Sequence, residues 1–288
     1  MIESECRLQY IYCHNYVFPI TDSMNGAATV LVFRWDAPYD GDMTAQVSRA
    51  RPVMSTESPK TPGGIGTLNE KPLHEALKRF CAEPGDAFEV PLDGFVVDIL
   101  REGLVVEIQT RNFKAMQRKL GKLLADREVR LVYPIAQDKW ITKEPHPEGG
   151  PGSRRKSPKH GRFESVFDEL VSFPTLLADP NFSVELLLIE EEEVRRYDGS
   201  RGWRRRGWVT HERRLLEVVD RRVLRSPADL VAFLPSGLTE SFTTGDMVSS
   251  MRMAKRLAQR MAYCLRVAGC IAPVGKRSNA ILYSRSGA

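Results

Sequence analysis

Two short apolar runs rich in valine and isoleucine, each interrupted by one acid, occupy residues 94–110 and predict two β-strands. Between the two apolar runs stands Glu102-Gly103, and a glycine there supplies the positive φ that a two-residue hairpin loop needs. Such a loop pairs Arg101 with Leu104. The pattern therefore predicts a β-hairpin whose register is set by its turn.

Counting back along this ladder places Asp98 opposite Glu107, on one face of the hairpin with Gln109 two residues further on. Like charges directly opposite each other destabilise a hairpin, and acids on an apolar face are costly unless they are paired or bind a metal. Mg²⁺ takes oxygen ligands, so a divalent cation between the carboxylates would remove that cost. We predict a Mg²⁺ or Mn²⁺ site here; the alternative is a hairpin with two solvated acids.

A helix and a strand are predicted on each side of this hairpin. Thr67-Leu-Asn-Glu70 has the form of a capping box and begins a helix, and residues 88–93 form a strand in which Pro91 implies a sheet edge or a bend. A helix beginning at Phe113 and a buried strand over residues 129–135 follow the hairpin. The resulting order is helix, three strands, helix, strand.

Asp98, followed nine positions later by Glu107-Ile108-Gln109, resembles the core motif of the PD-(D/E)XK nuclease superfamily, the restriction-endonuclease-like fold shared with Holliday-junction resolvases. The resemblance covers roughly residues 67–136. It implies an αβββαβ core, an α/β fold and metal-dependent hydrolysis of DNA phosphodiesters. The sequence departs from the family at Gln109, where the family has lysine, so this residue would position water or phosphate without supplying charge.

Three further residues are candidates for this site. Glu70 shares a helix face with apolar residues and is either the third acid of the site or only a helix cap that favours the helix dipole. Gln117 lies in the apolar stripe of the second helix, where family members carry a polar residue near the site. Lys114 either replaces the missing lysine or belongs to the ordinary helix surface, and the second interpretation is favoured.

The last 63 residues predict three helices and a hairpin. Helix starts are marked by Ser226-Pro-Ala-Asp229 and Thr243-Thr-Gly-Asp246, and a third helix runs from about residue 253 to 268. A hairpin with a basic tip follows over residues 271–283. This order resembles a winged helix-turn-helix over about residues 226–285, which implies DNA binding; the alternative is a winged helix used for protein contact.

From Met247 to the C-terminus there is no acidic residue. Phosphate contacts dominate DNA affinity, so one-sided basic charge favours DNA as the partner, with duplex DNA expected. In the winged-helix interpretation the third helix enters the major groove and the hairpin tip grips the backbone or minor groove. The candidate DNA-binding residues are Arg252, Lys255, Arg256, Gln259, Tyr263, Arg266, Lys276 and Arg277.

Between the two predicted folds lie a basic loop and an arginine-rich extension. Residues 143–161 predict an exposed basic loop. Residues 201–225 hold nine arginines against three acids, with Trp203 and Trp208 interleaved, and this composition favours nucleic-acid contact by a segment with a helical core face. The acidic run Glu190–Glu193 does not predict a metal site, because consecutive side chains face different ways.

Five segments are thus predicted. They are an N-terminal arm (1–66), a nuclease-like core (67–142), the basic loop (143–161), the extension (162–225) and the winged helix (226–288). The arm is polar and linker-like from residue 41; either it is poorly ordered or translation starts at Met54. Five scattered cysteines without a CxxC pair indicate neither a disulfide framework nor a zinc site, and they fit a reducing cytoplasm.

A formal net charge of +5, no apolar run of membrane-spanning length and no signal peptide agree with a cytoplasmic protein that acts away from membranes. We predict a DNA-binding protein whose nuclease-like domain hydrolyses DNA phosphodiesters with Mg²⁺ or Mn²⁺. The alternative is a non-catalytic regulator with a degenerate nuclease fold. Cleavage of both strands of a duplex would imply a homodimer.

Overall fold

The computed structural model describes residues 72–199 and 203–286, which form a mixed α/β fold. Its larger sheet has seven strands in the order β1-β2-β3-β4-β6-β7, with β5 paired to β4. The strands are β1 (Ala87–Leu92), β2 (Phe95–Arg101), β3 (Leu104–Ile108), β4 (Val129–Lys143), β5 (Ser153–Lys156), β6 (Phe182–Tyr197) and β7 (Trp208–Leu224).

The sheet changes from antiparallel to parallel at β3. Strands β1, β2 and β3 are antiparallel neighbours, whereas β4 runs parallel to both β3 and β6. The predicted hairpin is confirmed, because Arg101 pairs with Leu104 and the turn residues Glu102 and Gly103 both have positive φ. Strand β1 lies at the sheet edge, as Pro91 indicated.

Helices cover both faces of this sheet. Helix α1 (Pro72–Cys81) buries Leu73 and Leu77 in one hydrophobic cluster with Val106 of β3. Helix α2 (Gln117–Leu123), preceded by a 3₁₀ turn over Phe113–Met116, belongs to a second cluster with the adjacent Val105. Because neighbouring strand residues point to opposite faces, the two clusters mark the α1 face and the α2 face of the sheet.

Residues 208–224 correct the prediction of a helical core face over 201–225, because they form β7. Leu215 and Val218 pack under α1, whereas Leu216 and Val219 are exposed. The β6–β7 register shifts at three points, and two of the shifts skip Leu216 and Val219. A bulge adds one residue to a strand, so the inward apolar residues lie three apart, as on a helix.

The predicted basic loop over 143–161 also contains regular structure. Strand β4 extends to Lys143, and Ser153–Lys156 pairs with it as β5. The arginines of β5 are exposed, but Arg154 lies over the Trp140 ring, 4.1 Å from its centroid. The basic residues here therefore belong to the sheet.

The C-terminal region has the predicted three helices and a hairpin. The helices are α4 (Pro227–Val231), α5 (Thr244–Met251) and α6 (Lys255–Val267), and the strands β8 (Ser241–Phe242), β9 (Ile271–Arg277) and β10 (Ala280–Arg285) form a sheet in the order β8-β10-β9. Capping boxes begin α4 and α5, as their sequences predicted. The hairpin turn is tighter than predicted, since residues 275–277 belong to β9.

One hydrophobic cluster runs from the α2 face of the large sheet into these helices. It includes Phe182 of β6, Phe167 of the short helix α3 (Phe167–Leu170), Phe233 and Met261. The rings of Phe167 and Phe233 meet edge to face at 5.3 Å. Remaining 3₁₀ turns cover Phe163–Val166, Leu176–Ala178 and Trp203–Arg205. No helix in the described ranges is both long and apolar enough to cross a membrane.

Candidate functional site

Asp98 and Glu107 lie where β2 and β3 separate. The last pair of the β2–β3 ladder is Ile99 with Val106. Beyond it, the Asp98 amide donates to Glu107 Oε1 at 3.2 Å, and the Ile108 amide donates to Asp98 Oδ2 at 2.7 Å. Each carboxylate thus accepts a hydrogen bond from a backbone amide of the opposing strand, which places both acids at the point where the ladder ends.

The two carboxylates reach different helices, although the sequence predicted one shared face. Lys119 of α2 places Nζ 2.6 Å from Glu107 Oε1 and donates to the Val96 carbonyl at 2.6 Å. His74 of α1 places Nε2 3.3 Å from Asp98 Oδ2 and 3.1 Å from the carbonyl oxygen of Ile108. The site is therefore held between both covering helices, because the carboxylates diverge where the strands do.

Glu107 is only 4% exposed, and this burial is the main reason why its pKa is raised to about 7. The negative charge of Asp98 raises the pKa further, while Lys119 opposes both effects. A buried carboxylate with a pKa near neutrality takes up a proton or a cation easily. The Lys119 ammonium is the cation that Glu107 contacts in the structure, and the Mg²⁺ or Mn²⁺ ion stays a prediction.

Gln109 does not reach the carboxylates. Its side-chain amide donates to the carbonyls of Arg111 and Asn112, at 2.5 and 3.2 Å, within its own loop. Lys114 is exposed, and Lys119 is the lysine that contacts Glu107. Helix α2 therefore places a lysine beside Glu107, whereas residue 109 does not contribute to that contact.

Gln117 corrects another expectation, because it is exposed rather than part of the apolar stripe. Its side-chain amide donates to the Ser172 carbonyl at 2.6 Å and so ties α2 to the segment after α3. The helix preceding it is a 3₁₀ turn, which rotates residue 117 away from the core. Glu70 lies outside the described residues.

Sequence reasoning missed Lys119 and His74, and only weak signals could have found them. Both adjoin a buried leucine on their helix: His74 follows Leu73, and Lys119 precedes Leu120. A polar residue beside an apolar stripe faces the sheet border, where long or polar side chains can reach strand ends.

The donor chemistry of this site fits a hard divalent cation. Asp98 and Glu107 offer carboxylate oxygens, and Mg²⁺ is commonly held by one or two carboxylates together with waters and substrate phosphate. Among residues 72–199 and 203–286, no group of three or more His, Cys, Asp and Glu side chains is arranged to hold a metal. Water and phosphate oxygens would therefore have to complete the coordination shell.

The basic face predicted on the third helix is exposed. Lys255, Arg256, Gln259, Tyr263 and Arg266 all lie on the solvent side of α6. Arg252, also exposed, ends α5 with a φ of 48°.

In the part of the chain that the structure describes, Arg252, Lys255, Arg256 and Lys276 make no ion pair. Arg277 differs, since its Nη1 lies 3.0 Å from Asp246 Oδ2. Arg266 also makes no ion pair among the described residues, so five of the six charged residues predicted to contact DNA retain uncompensated charge.

Polar contacts join α6 to α3, and α3 to the segment that precedes α2. Arg260 donates to the Asp168 carbonyl on α3 at 3.1 Å, and the neighbouring Glu169 accepts from the Phe113 amide at 3.0 Å. Phe113 begins the segment that leads into α2 and Lys119. Helix α3 therefore contacts both α6 and the 3₁₀ turn that leads into α2.

Comparison with known proteins assigns the large sheet to one family. Residues 71–225 match a domain of unknown function, DUF8091. The chain belongs to the DUF8091 family. It is also similar to an uncharacterized protein of Treponema pallidum (strain Nichols), at 31% identity over 223 residues that cover 77% of this chain and 87% of the relative. No solved structure matches the chain.

The DUF8091 match includes both carboxylates, Lys119, His74 and the whole seven-stranded sheet. It ends immediately before the Ser226 cap of α4. The candidate site therefore lies within the family domain, and the exposed basic face of α6 lies outside it.

Proposed function

We propose that this protein binds DNA and hydrolyses its phosphodiester bonds in a metal-dependent reaction. The observation that carries the proposal is the meeting of Asp98, Glu107 and Lys119 where β2 and β3 separate. Carboxylate oxygens are ligands for a divalent ion, and such an ion polarises a phosphoryl oxygen and generates a nucleophilic water.

The connection of the strands supports this proposal. Three antiparallel strands are followed by α2 and then by β4, which is parallel to β3. A helix precedes the three strands, so the order agrees with the αβββαβ arrangement that the motif resembles. Asp98 on the second of these strands and Glu107 on the third are the two acids of the motif.

Each residue has a distinct role in this proposal. Asp98 and Glu107 would hold the ion, which when bound lowers the pKa of a water and offsets charge on the phosphate. Lys119 would supply the positive charge that Gln109 lacks, orienting the attacking water or a phosphate oxygen. Its second hydrogen bond, to the Val96 carbonyl, fixes its ammonium beside Glu107.

The C-terminal helices would bring DNA to this site as a winged helix. The exposed residues of α6 would contact the groove, and Lys276 on β9 would contact the backbone. Because α6 packs into the same hydrophobic cluster as α2, bound DNA and the carboxylates would keep a fixed geometry.

A non-catalytic DNA-binding protein is the second candidate. It is favoured by two observations: Lys119 already neutralises Glu107, and Gln109 is turned into its own loop. In this case the carboxylates only satisfy the strand amides, and the function lies in α6.

Cleavage of supercoiled plasmid with Mg²⁺ or Mn²⁺ tests the first candidate. Nicking by the wild type should vanish in Asp98→Asn and Glu107→Gln, which keep side-chain size and lose charge, and should fall strongly in Lys119→Gln. Glu75→Gln is the matched control, because Glu75 pairs with Arg79 on α1 and contacts neither carboxylate. Nicking that persists in Asp98→Asn would reject the assigned site.

The same preparations distinguish the second candidate. Salt-sensitive duplex binding without nicking by the wild type, weakened in an Arg256→Ala variant, would establish a DNA-binding protein without this activity. Folded protein that neither nicks nor binds DNA would reject both candidates.

A further inference from the structure

Two buried glutamates on the α1 face of β6 are each contacted by more than one cation. Glu191 is fully buried, with Lys139 Nζ 2.6 Å from its Oε1 and Arg213 Nε 3.0 Å from its Oε2. The same Lys139 Nζ lies 3.5 Å from Glu193 Oε2. One lysine thus bridges both carboxylates.

Glu193 has the richer set of partners. Its Oε1 accepts from Arg195 Nε at 2.8 Å, from Arg205 Nη1 at 3.3 Å and from Thr210 Oγ1 at 2.8 Å. Burial opposes ionisation of Glu193, but the hydrogen bonds from Arg195 and Thr210 outweigh it and lower its pKa to about 2. Glu193 is therefore negatively charged at neutral pH.

The cluster nevertheless has excess positive charge. Lys139, Arg195, Arg205 and Arg213 contribute four positive charges and the two glutamates contribute two negative ones, which leaves +2 among the described residues. The adjacent Glu192 belongs to the opposite face, where it accepts from Thr142 and Arg154. It cannot compensate the excess.

Partial burial strengthens this local field. The side chains of Arg195, Arg213 and Lys139 are 15%, 23% and 28% exposed, so solvent ions screen their mutual repulsion poorly. The backbone register of β4, β6 and β7 holds them together in spite of that repulsion. A further anion on the open side would lower the energy of the whole cluster.

We infer that this cluster is a binding site for a phosphate group. Arg205, whose side chain is 49% exposed, and the exposed Thr210 form its solvent side and are hydrogen-bonded to each other at 2.9 Å. Phosphate oxygens accept from a guanidinium fork, and the hydrogen bonds of Arg205 to Glu193 and Thr210 both use its Nη1. The site uses none of the residues of the proposed nuclease centre or of α6.

Inorganic phosphate is the first probe. Added at constant ionic strength, phosphate should raise the melting temperature of the full-length protein and shift the amide resonances of Arg205 and Thr210, whereas chloride should do neither. Arg205→Gln and Lys139→Gln should each weaken phosphate binding about tenfold, as expected for the loss of one charge-assisted hydrogen bond. Arg214→Gln is the matched control, since Arg214 lies next to Arg213 on β7 but pairs with Glu192 on the opposite face of the sheet.

Competition experiments distinguish a nucleic-acid backbone from a free phosphate or nucleotide as the ligand. Displacement of a labelled oligonucleotide by pyrophosphate in the wild type, and its weaker binding in Arg205→Gln, would assign the site to a nucleic-acid backbone. Phosphate binding without any effect of Arg205→Gln on oligonucleotide affinity would assign it to a free phosphate or nucleotide. Equal phosphate affinity in wild type and Arg205→Gln, or equal effects of phosphate and chloride, would overturn the inference.

Discussion

Strand β7 and helix α6 are both rich in arginine, yet they use that charge in opposite ways. On β7, Arg213, Arg214 and Arg221 each contact a glutamate of β6. On α6, Lys255, Arg256 and Arg266 point to solvent. The first set neutralises acids inside the sheet, and the second leaves charge available for a partner.

The β7 arginines account for the acidic run of β6. Antiparallel pairing brings Glu190–Glu193 alongside the N-terminal half of β7, so two charge runs that are separate in sequence become neighbours. Trp208, an expected base-stacking residue, lies instead beside Tyr197 and His146, with Lys143 Nζ 4.5 Å from its ring centroid. An arginine count alone therefore does not indicate nucleic-acid binding, because what matters is whether each charge has an internal partner.

Replacing an arginine of β7 should lower the stability of the protein far more than replacing an arginine of α6. Arg213→Ala leaves the fully buried Glu191 with Lys139 alone and should lower the free energy of unfolding by about 3 kcal/mol, near the lower end for a broken buried ion pair. Arg256→Ala removes an exposed side chain and should change it by less than about 0.5 kcal/mol. Urea unfolding of both variants measures the difference, and equal effects would end the distinction between the two regions.

Much of the local structure was predictable because it depends on short-range chemistry. The Glu102-Gly103 turn set the register of β2 and β3, and the capping boxes at Ser226 and Thr243 marked the starts of α4 and α5. These signals lie within four residues of the feature that they determine. The hairpin between β9 and β10 was predicted for the same reason.

The predictions from sequence were wrong or incomplete where segments far apart in the chain meet. The bulges of β7 gave its apolar residues a helical spacing, and only pairing with β6 shows that they belong to a strand. Lys119 and His74 meet the carboxylates through the packing of α2 and α1 on the sheet, which no local pattern encodes. Candidate acids were therefore easier to find than the basic residues beside them.

Acid pH should weaken the contacts that Glu193 of β6 makes with its basic partners and Thr210. The pKa of Glu193 is about 2 in the folded protein against an ordinary 4.5, so its contribution to stability is complete above pH 4.5 and is lost as the pH falls toward 2. Glu193→Gln should cost about 1–3 kcal/mol at pH 7 and flatten the pH dependence of stability in that window. Unfolding measured between pH 2 and 7 tests this, with Arg256→Ala expected to keep the wild-type slope.

Affinity for duplex DNA should depend on the basic residues of α6 and not on the arginines of β7. If α6 binds DNA, Arg256→Ala and Lys255→Ala should each weaken binding by about 1 kcal/mol and reduce the slope of log affinity against log salt by about one. Arg221→Ala, on β7, should leave both quantities unchanged, because Arg221 pairs with Glu185. Fluorescence anisotropy over a salt series measures this, and a greater loss for Arg221→Ala would move the DNA surface to β7.

The smallest expected change in stability distinguishes the two faces of β7, on which Arg213 and Arg214 lie. Arg214 has a half-exposed side chain and lies 3.8 Å from Glu192, which keeps hydrogen bonds from Thr142 and Arg154 when Arg214 is lost. Arg214→Gln should therefore lower the free energy of unfolding by only about 0.2–1 kcal/mol, as for other solvent-exposed ion pairs. Urea unfolding of Arg214→Gln and Arg213→Ala under the same conditions measures this difference. A loss as large as that of Arg213→Ala would show that burial of the glutamate is not what makes the β7 arginines structural.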